Sequence, residues 1–291
     1  MAAARAHHAA RAAAFAGSRR GDDDAMMPTR YLLDAEGRAA IARLMTRRPL
    51  LGFDFDGTLA PIVMHPDEAR LPEPTAKLLE RLAARLPIAV VSGRQVLDVR
   101  HRLGFKPTHI VGNHGAEDEF DGPDTRVVTT LGAFRDRMLR MEPDLNRAGA
   151  TIEDKGASIA IHYRMAPNPV AAREAIAALI AELPPGVLTE PGKRVVNVLV
   201  DGAPDKGDAM TRLTARYGAD AGFYVGDDTN DEPAFERAAA DWVTVRVGPR
   251  LDHSHARYYL NEQAEIDDVL RLMLEHLGDP GEGRPGPLFG T

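Results

Sequence analysis

The chain is 291 residues long, enough for two domains, and 44% of it is hydrophobic, enough to fill their cores. Its net charge of −7 argues against nucleic acid or an anionic membrane as the main partner, since both need basic surface, and no apolar run approaches the length that spans a bilayer. There is no cysteine, so disulfides, thiolate metal sites and Cys nucleophiles are excluded, and the composition fits a soluble protein of a reducing cytoplasm.

Residues 1–27 are Ala- and Arg-rich and then briefly acidic at "GDDD"; they read as a disordered extension or an upstream start choice rather than a transit peptide. "PLLGFDF" from Pro49 is the continuous apolar run expected of a strand covered on both faces, and "TAKLLERLAARL" spaces Ala76, Leu78, Leu79, Leu82 and Leu86 along one helical face. "IAVVSG", "HIVGNHG", "GFYVGDD" and "WVTVRV" are further β-rich runs. The alternation predicts an α/β chain built on a Rossmann-like, doubly wound parallel sheet. Ligands bind beyond the carboxyl ends of such strands, where Asp54, Ser92, Asn113 and Asp227 fall.

Between residues 121 and 200 the pattern changes. "TLGAFRDRMLRM" reads as helix, "ASIAIHYR" alternates as a half-exposed strand, "NPVAAREAIAALIAEL" opens with Asn168 as cap and Pro169 at the first helical position, and "KRVVNVLV" is another strand. The expected organisation is a core of 28–120 and 201–277 with an inserted α+β domain of 121–200. The Gly- and Pro-rich residues 278–291 read as a flexible tail.

"LGFDFDGTLAP", from Leu51, places two carboxylates at the mouth of an apolar strand. One reading is an ordinary Asp- and Gly-containing turn. The other is chemical: an ionised Asp54 can attack phosphorus to give an aspartyl phosphate, and Asp56 can protonate the leaving alcohol and then activate water. A phosphate dianion near two carboxylates is repelled by about 4 kcal/mol per pair at an intermediate dielectric, so this reading requires a cation. Mg²⁺ suits the oxygen-rich place, and "GDDTNDE" from Gly226 supplies further ligands in Asp227, Asp228 and Asp231. An EF-hand is excluded: a loop from Asp54 has Leu59 and His65 where Gly and Glu are required, and one from Asp227 has Glu232 at the glycine position. Thr58 and Ser92 can donate hydrogen bonds to phosphate, and Lys206, at a helix start, can place a charge on it. Alone, a turn Ser or a surface Lys would be the plainer reading. His65, His101, His253 and His255 show no metal-ligand spacing.

Taken in order, "DFDGT", "SGR", Lys206 and "GDDTND" resemble the four motifs of the haloacid dehalogenase superfamily of phosphatases, from Leu50 to Leu277, with the insertion where that superfamily carries its larger cap. "GNHGAE" from Gly112, "EDKGASIAIHYR" from Glu153 and "GKRVVNVLVDGAPDKGDAM" from Gly192 resemble trehalose-6-phosphate phosphatases more narrowly. The resemblance implies Asp54 as nucleophile, Asp56 as acid and base, and Mg²⁺ held by Asp54, the Asp56 carbonyl and Asp227, with Asp231 behind them and Asp228 orienting it. It gives Ser92 and Lys206 to the phosphate. Arg94, Asn113, His114 and Gly115 would face the sugar from the core, and Lys155, His162 and Arg164 from the cap. In the last cap strand Asn197 and Leu199 stand where many members carry an acidic and a basic residue, so the contacts from that strand stay open. His162 and Tyr163 alternate, so one of them faces the cap's own core.

The expected activity is hydrolysis of trehalose 6-phosphate. The alternatives are another sugar phosphate, of the sucrose or mannosylglycerate type, or a sugar-phosphate-binding module without turnover. The presence of Asp54, Asp56, Lys206 and Asp227, with no synthase-sized region ahead of them in the sequence, disfavours the last.

Overall fold

The computed structural model describes residues 29–279 except Lys193 and 249–252. The extension of 1–27 and the tail beyond Asp279 lie outside the described residues. In chain order the elements are β1 (Arg30–Tyr31), α1 (Ala35–Met45), β2 (Pro49–Phe53), α2 (Glu73–Ala83), β3 (Ile88–Val91), α3 (Val96–Arg100), β4 (His109–Gly112), β5 (Glu117–Asp118) and β6 (Gly122–Pro123). There follow α4 (Thr125–Thr130), α5 (Gly132–Arg147), β7 (Thr151–Asp154), β8 (Ile159–His162), α6 (Pro169–Ile180), β9 (Val187–Gly192) and β10 (Val195–Val200). The chain closes with α7 (Lys206–Arg216), β11 (Ala221–Gly226), α8 (Glu232–Glu236), β12 (Val243–Val247), β13 (Tyr258–Leu260) and α9 (Ile266–His276).

Two sheets result. The larger has the order β1-β13-β12-β11-β2-β3-β4-β5-β6, parallel from β1 to β4 and antiparallel at the short β5 and β6. Its central strands are buried along their whole length, as the unbroken apolar runs predict. Helices cover both faces. On one, Ile41, Leu79, Leu82, Leu270 and Met273 pack against Leu51, Phe53, Val90 and Phe223; on the other, Met210, Leu213 and Phe235 pack against Leu50, Val91 and Tyr224. This is the doubly wound α/β architecture expected from the sequence.

The smaller sheet, β7-β8-β10-β9, is antiparallel and has its own apolar core, in which Phe134, Met138, Ile176 and Leu179 meet Ile159, Ile161 and Val198. Asn168 caps α6 by accepting from the amides of Val170 and Ala171 at 3.0 and 3.2 Å, with Pro169 at the first helical position. The "HIVGNHG" run is strand only as far as Gly112: Asn113 and His114 turn into positive φ of 49° and 60°, and the chain tightens into a 3₁₀ turn.

Candidate active site

β11, β2, β3 and β4 are neighbours in the sheet, and the residues just past their ends are Asp227, Asp54, Ser92 and Asn113. Asp54 is anchored by its own amide, which donates to the Val225 carbonyl at 2.9 Å. The loop behind it closes on itself through Gly57 N to Ala60 O at 2.8 Å and Ala60 N to Phe55 O at 2.8 Å. Gly57 has a φ of 84°, and a Cβ there would lie 2.2 Å from Asp227 Oδ2, so both the backbone and the neighbouring carboxylate require glycine.

Lys206 reaches this place because α7 begins beside it. Asp205 caps the helix by accepting from the Asp208 amide at 2.9 Å, and Asp208 returns the bond from the Asp205 amide at 3.1 Å. The Lys206 ammonium, 1% exposed, donates to Asp54 Oδ1 at 2.6 Å and Asp231 Oδ1 at 2.7 Å. Asp231 also accepts from Tyr224 Oη at 2.7 Å and the Asp228 amide at 3.0 Å. Nothing in "GFYVGDD" marks Tyr224 as part of the site; its role comes from the turn that folds Asp231 back over it.

The electrostatics follow from this crowding. Burial alone would depress the Lys206 ammonium, but Asp231 and Asp54 outweigh it and hold it well above its ordinary value. Burial pushes the Asp54 carboxyl far above the carboxylate range, with Lys206 pulling against it and Asp231 and Asp227 adding to the rise. Burial, then the charge of Asp231, lifts Asp227 to about 6. Asp54, Asp227 and Asp231 each offer an oxygen within 4.8 Å of the others. With all three carboxylates ionised against one ammonium the site would carry two net negative charges; a divalent cation neutralises these and so favours the ionised forms that burial and mutual repulsion oppose. Asp227 Oδ1 is buried with no hydrogen-bond partner, as is Thr58 Oγ1, so the donor set fits a hard, oxygen-seeking divalent metal.

The other expected residues have these places. Asp56 is gripped by Arg94, whose Nε and Nη2 donate to it at 2.6 and 2.7 Å while Nη1 donates to Asp98 at 2.8 Å. Asp228 turns to the Thr229 amide at 2.7 Å and is outside the carboxylate trio. Ser92 is fully buried, and its Oγ accepts from the Arg94 amide at 3.2 Å. Asn113 ties the two sheets together: its Nδ2 donates to Glu117 at 2.8 Å and to the Lys155 carbonyl at 2.9 Å, and its Oδ1 accepts from Ser158 at 2.7 Å. The enclosed Nδ1 of His114 has no partner, and burial, helped by Lys206 and Lys155, pushes this imidazole down to about 3, so it is neutral. Gly115 passes so close to α7 that a Cβ would lie 2.4 Å from the Asp205 carbonyl.

From the smaller sheet, Lys155 Nζ reaches the Gly93 carbonyl at 3.5 Å, and Arg164 Nη1 the Met64 carbonyl at 3.5 Å. Tyr163 packs into the apolar core of that sheet, and His162 lies on the opposite face, 2.9 Å from Glu153 Oε2. Asn197 sits on β10, directly between Ala160 and Glu190.

Comparison with known proteins identifies the chain's relatives. The family model for trehalose-phosphatase matches residues 52–263. A trehalose-phosphate phosphatase of Mycobacterium tuberculosis is 32% identical over 214 residues, a match covering 70% of this chain and 55% of that protein. An uncharacterised glycosyl hydrolase of the same organism is 33% identical over 282 residues, covering 84% of this chain and 21% of its own length. A solved structure described as a trehalose-6-phosphate phosphatase related protein superposes with a TM-score of 0.62 at 26% identity, over 79% of this chain and 98% of that one. The chain thus spans about half the length of the phosphatase relative and a fifth of the hydrolase. With the family match running from the strand before Asp54 to beyond the carboxylate turn at Asp231, the chain belongs to the trehalose-phosphatase family.

Proposed function

We propose that the chain hydrolyses trehalose 6-phosphate to trehalose and inorganic phosphate, with Mg²⁺ as its metal. The observation that carries this reading is the Asp54 carboxylate, 5% exposed at the end of β2, held by Lys206 at 2.6 Å and crowded by Asp227 and Asp231. Bound by Asp54, Asp227 and the Asp56 carbonyl, Mg²⁺ would offset the repulsion between carboxylates and phosphate and polarise the phosphoryl group.

Asp54 attacks phosphorus in line with the sugar oxygen, so that one O–P bond forms as the ester O–P bond breaks. Asp56 gives its proton to the departing sugar oxygen, then takes a proton from the water that splits the aspartyl phosphate. To reach that oxygen Asp56 must release part of its two-point grip on Arg94, which makes Arg94 the residue that positions it. Lys206 and Ser92 hold the transferring phosphoryl oxygens, with Thr58 beside them. Neutral His114 offers the sugar a hydrogen-bonding ring without adding charge. Residues 28–120 and 201–277 act as the catalytic core and 121–200 as a cap. Lys155, His162 and Arg164 line the cap's side of the site, where closure excludes water.

The test is phosphate release with Mg²⁺ from trehalose 6-phosphate, sucrose 6-phosphate, glucose 6-phosphate and an aryl phosphate, compared as kcat/KM. A preference of roughly two decades or more for trehalose 6-phosphate is expected. A flat profile would keep the aspartyl-phosphate chemistry and remove trehalose 6-phosphate as the substrate.

A further inference from the structure

The smaller sheet has two unlike faces. Residues directly opposite each other in antiparallel strands share a face, so Glu153, Ala160, Asn197 and Glu190 form one row across β7, β8, β10 and β9. The adjacent row, Ile152, Ile161 and Val196, lies on the other side, against the helices. The first face looks toward the carboxyl ends of the larger sheet. Lys155, two residues past Glu153, touches the Gly93 carbonyl, and Ser158, two before Ala160, touches Asn113. Glu153 is held below its ordinary range first by His162, and the charge of Arg94, the partner of Asp56, also acts on it.

The hydrogen-bonding side chains that the strands present on this face are Thr151, Glu153, His162, Asn197 and Glu190. Ala160, Val195, Leu199 and Leu188 offer none from their side chains. Glu153 is already engaged by His162 at 2.9 Å and Lys155 at 3.7 Å. Glu190 is exposed and has no ion pair or side-chain hydrogen bond among the described residues. At about 4.8 Å per strand, Asn197 and Glu190 stand roughly 10 and 14 Å from Glu153 along the row. Through Lys155, which reaches both Glu153 and the Gly93 carbonyl, the Glu153 end of the row lies against the larger sheet's loop of residues 92–94, so the far end is where a second sugar ring, and not the phosphorylated one, would extend.

We propose that Glu190, beside Asn197, is a specificity-determining residue that accepts hydrogen bonds from hydroxyls of the ring farther from the phosphate. This rests on the reading of the chain as a phosphatase of a disaccharide phosphate. A charged acceptor for sugar hydroxyls corresponds to about one to two decades in binding. Glu190→Ala is therefore expected to lower the ratio of kcat/KM for trehalose 6-phosphate to that for glucose 6-phosphate, and to that for p-nitrophenyl phosphate, about 10- to 100-fold, chiefly through KM. Glu190→Gln keeps an acceptor and should recover part of the loss. An unchanged ratio, or an equal loss on all three substrates, overturns the assignment of Glu190 alone, provided the unaltered protein prefers trehalose 6-phosphate. If the unaltered protein hydrolyses p-nitrophenyl phosphate but not trehalose 6-phosphate, the disaccharide reading fails and Glu190 falls with it.

Discussion

Asp54 sits in a place that folding alone would not choose for a carboxylate. It is almost fully buried, its neighbours Asp227 and Asp231 share its charge, and Lys206 divides its ammonium between Asp54 and Asp231. Such concentrated like charge is the mark of a site whose stability has been set aside for chemistry. Asp54→Asn keeps the shape and removes one of the surplus charges, while Lys206 keeps Asp231. The expected outcome is loss of phosphate release by roughly three decades or more, with a metal-free melting temperature that is unchanged or higher. A variant that retained turnover would remove Asp54 as nucleophile, and one that melted several degrees lower would show that its bond to Lys206 outweighs the repulsion. The places of Asp54, Ser92, Lys206 and Asp227 were readable because each sits just past a strand end or at a helix start, which local sequence signals well. Tyr224 and Glu117 were not, because local turns fold Asp231 and Asn113 back onto them, and Ser158 was not, because its partner Asn113 lies 45 residues away.

The strands that carry the site are readable for a related reason. β2, β3, β11 and β12 are covered on both faces, so they appear as unbroken apolar runs with a polar residue where burial stops. β9 hides itself. Its sequence, "VLTEPG", ends in Pro and Gly and reads as a turn, yet β9 is an edge of the smaller sheet, where a missing amide is tolerated. β11 ends on Gly226 for a steric reason: a Cβ there would lie 2.1 Å from Asp231 Cγ. Gly226→Ala must push Asp231 away from Lys206 and Tyr224 or shift the strand. The overpacking should cost about 1–3 kcal/mol, seen as a melting temperature lower by roughly 2–12 °C, and turnover should fall with it. An alanine variant with full activity and an unchanged melt would mean that the 3₁₀ turn carrying Asp231 yields freely.

The two sheets are built on separate apolar cores, and among the described residues polar contacts join them at Asn113 with Lys155 and Ser158, at Lys155 with Gly93 and at Arg164 with Met64. Among the described residues, the three carboxylates grouped to hold a metal, Asp54, Asp227 and Asp231, belong to the larger sheet and its loops. A divalent ion binding there removes two net negative charges from a buried site, and its binding energy acts on the unfolding of that unit. At a Mg²⁺ concentration about 100 times the dissociation constant the gain is about 2.7 kcal/mol, or roughly 5–10 °C in melting temperature. Asp227→Asn should lose most of this shift, because its buried Oδ1 is a carboxylate acceptor that no described protein group satisfies. If the two units melt separately in calorimetry, Mg²⁺ alone should move the transition of the larger sheet and leave the smaller one in place. A ligand that spans Lys206 and the Glu153 face should raise both, because only such a ligand is gripped from both sides. An equal Mg²⁺ shift in the Asp227 variant would place the ion elsewhere, and a Mg²⁺ shift of both transitions would show the two sheets coupled through more than these polar contacts.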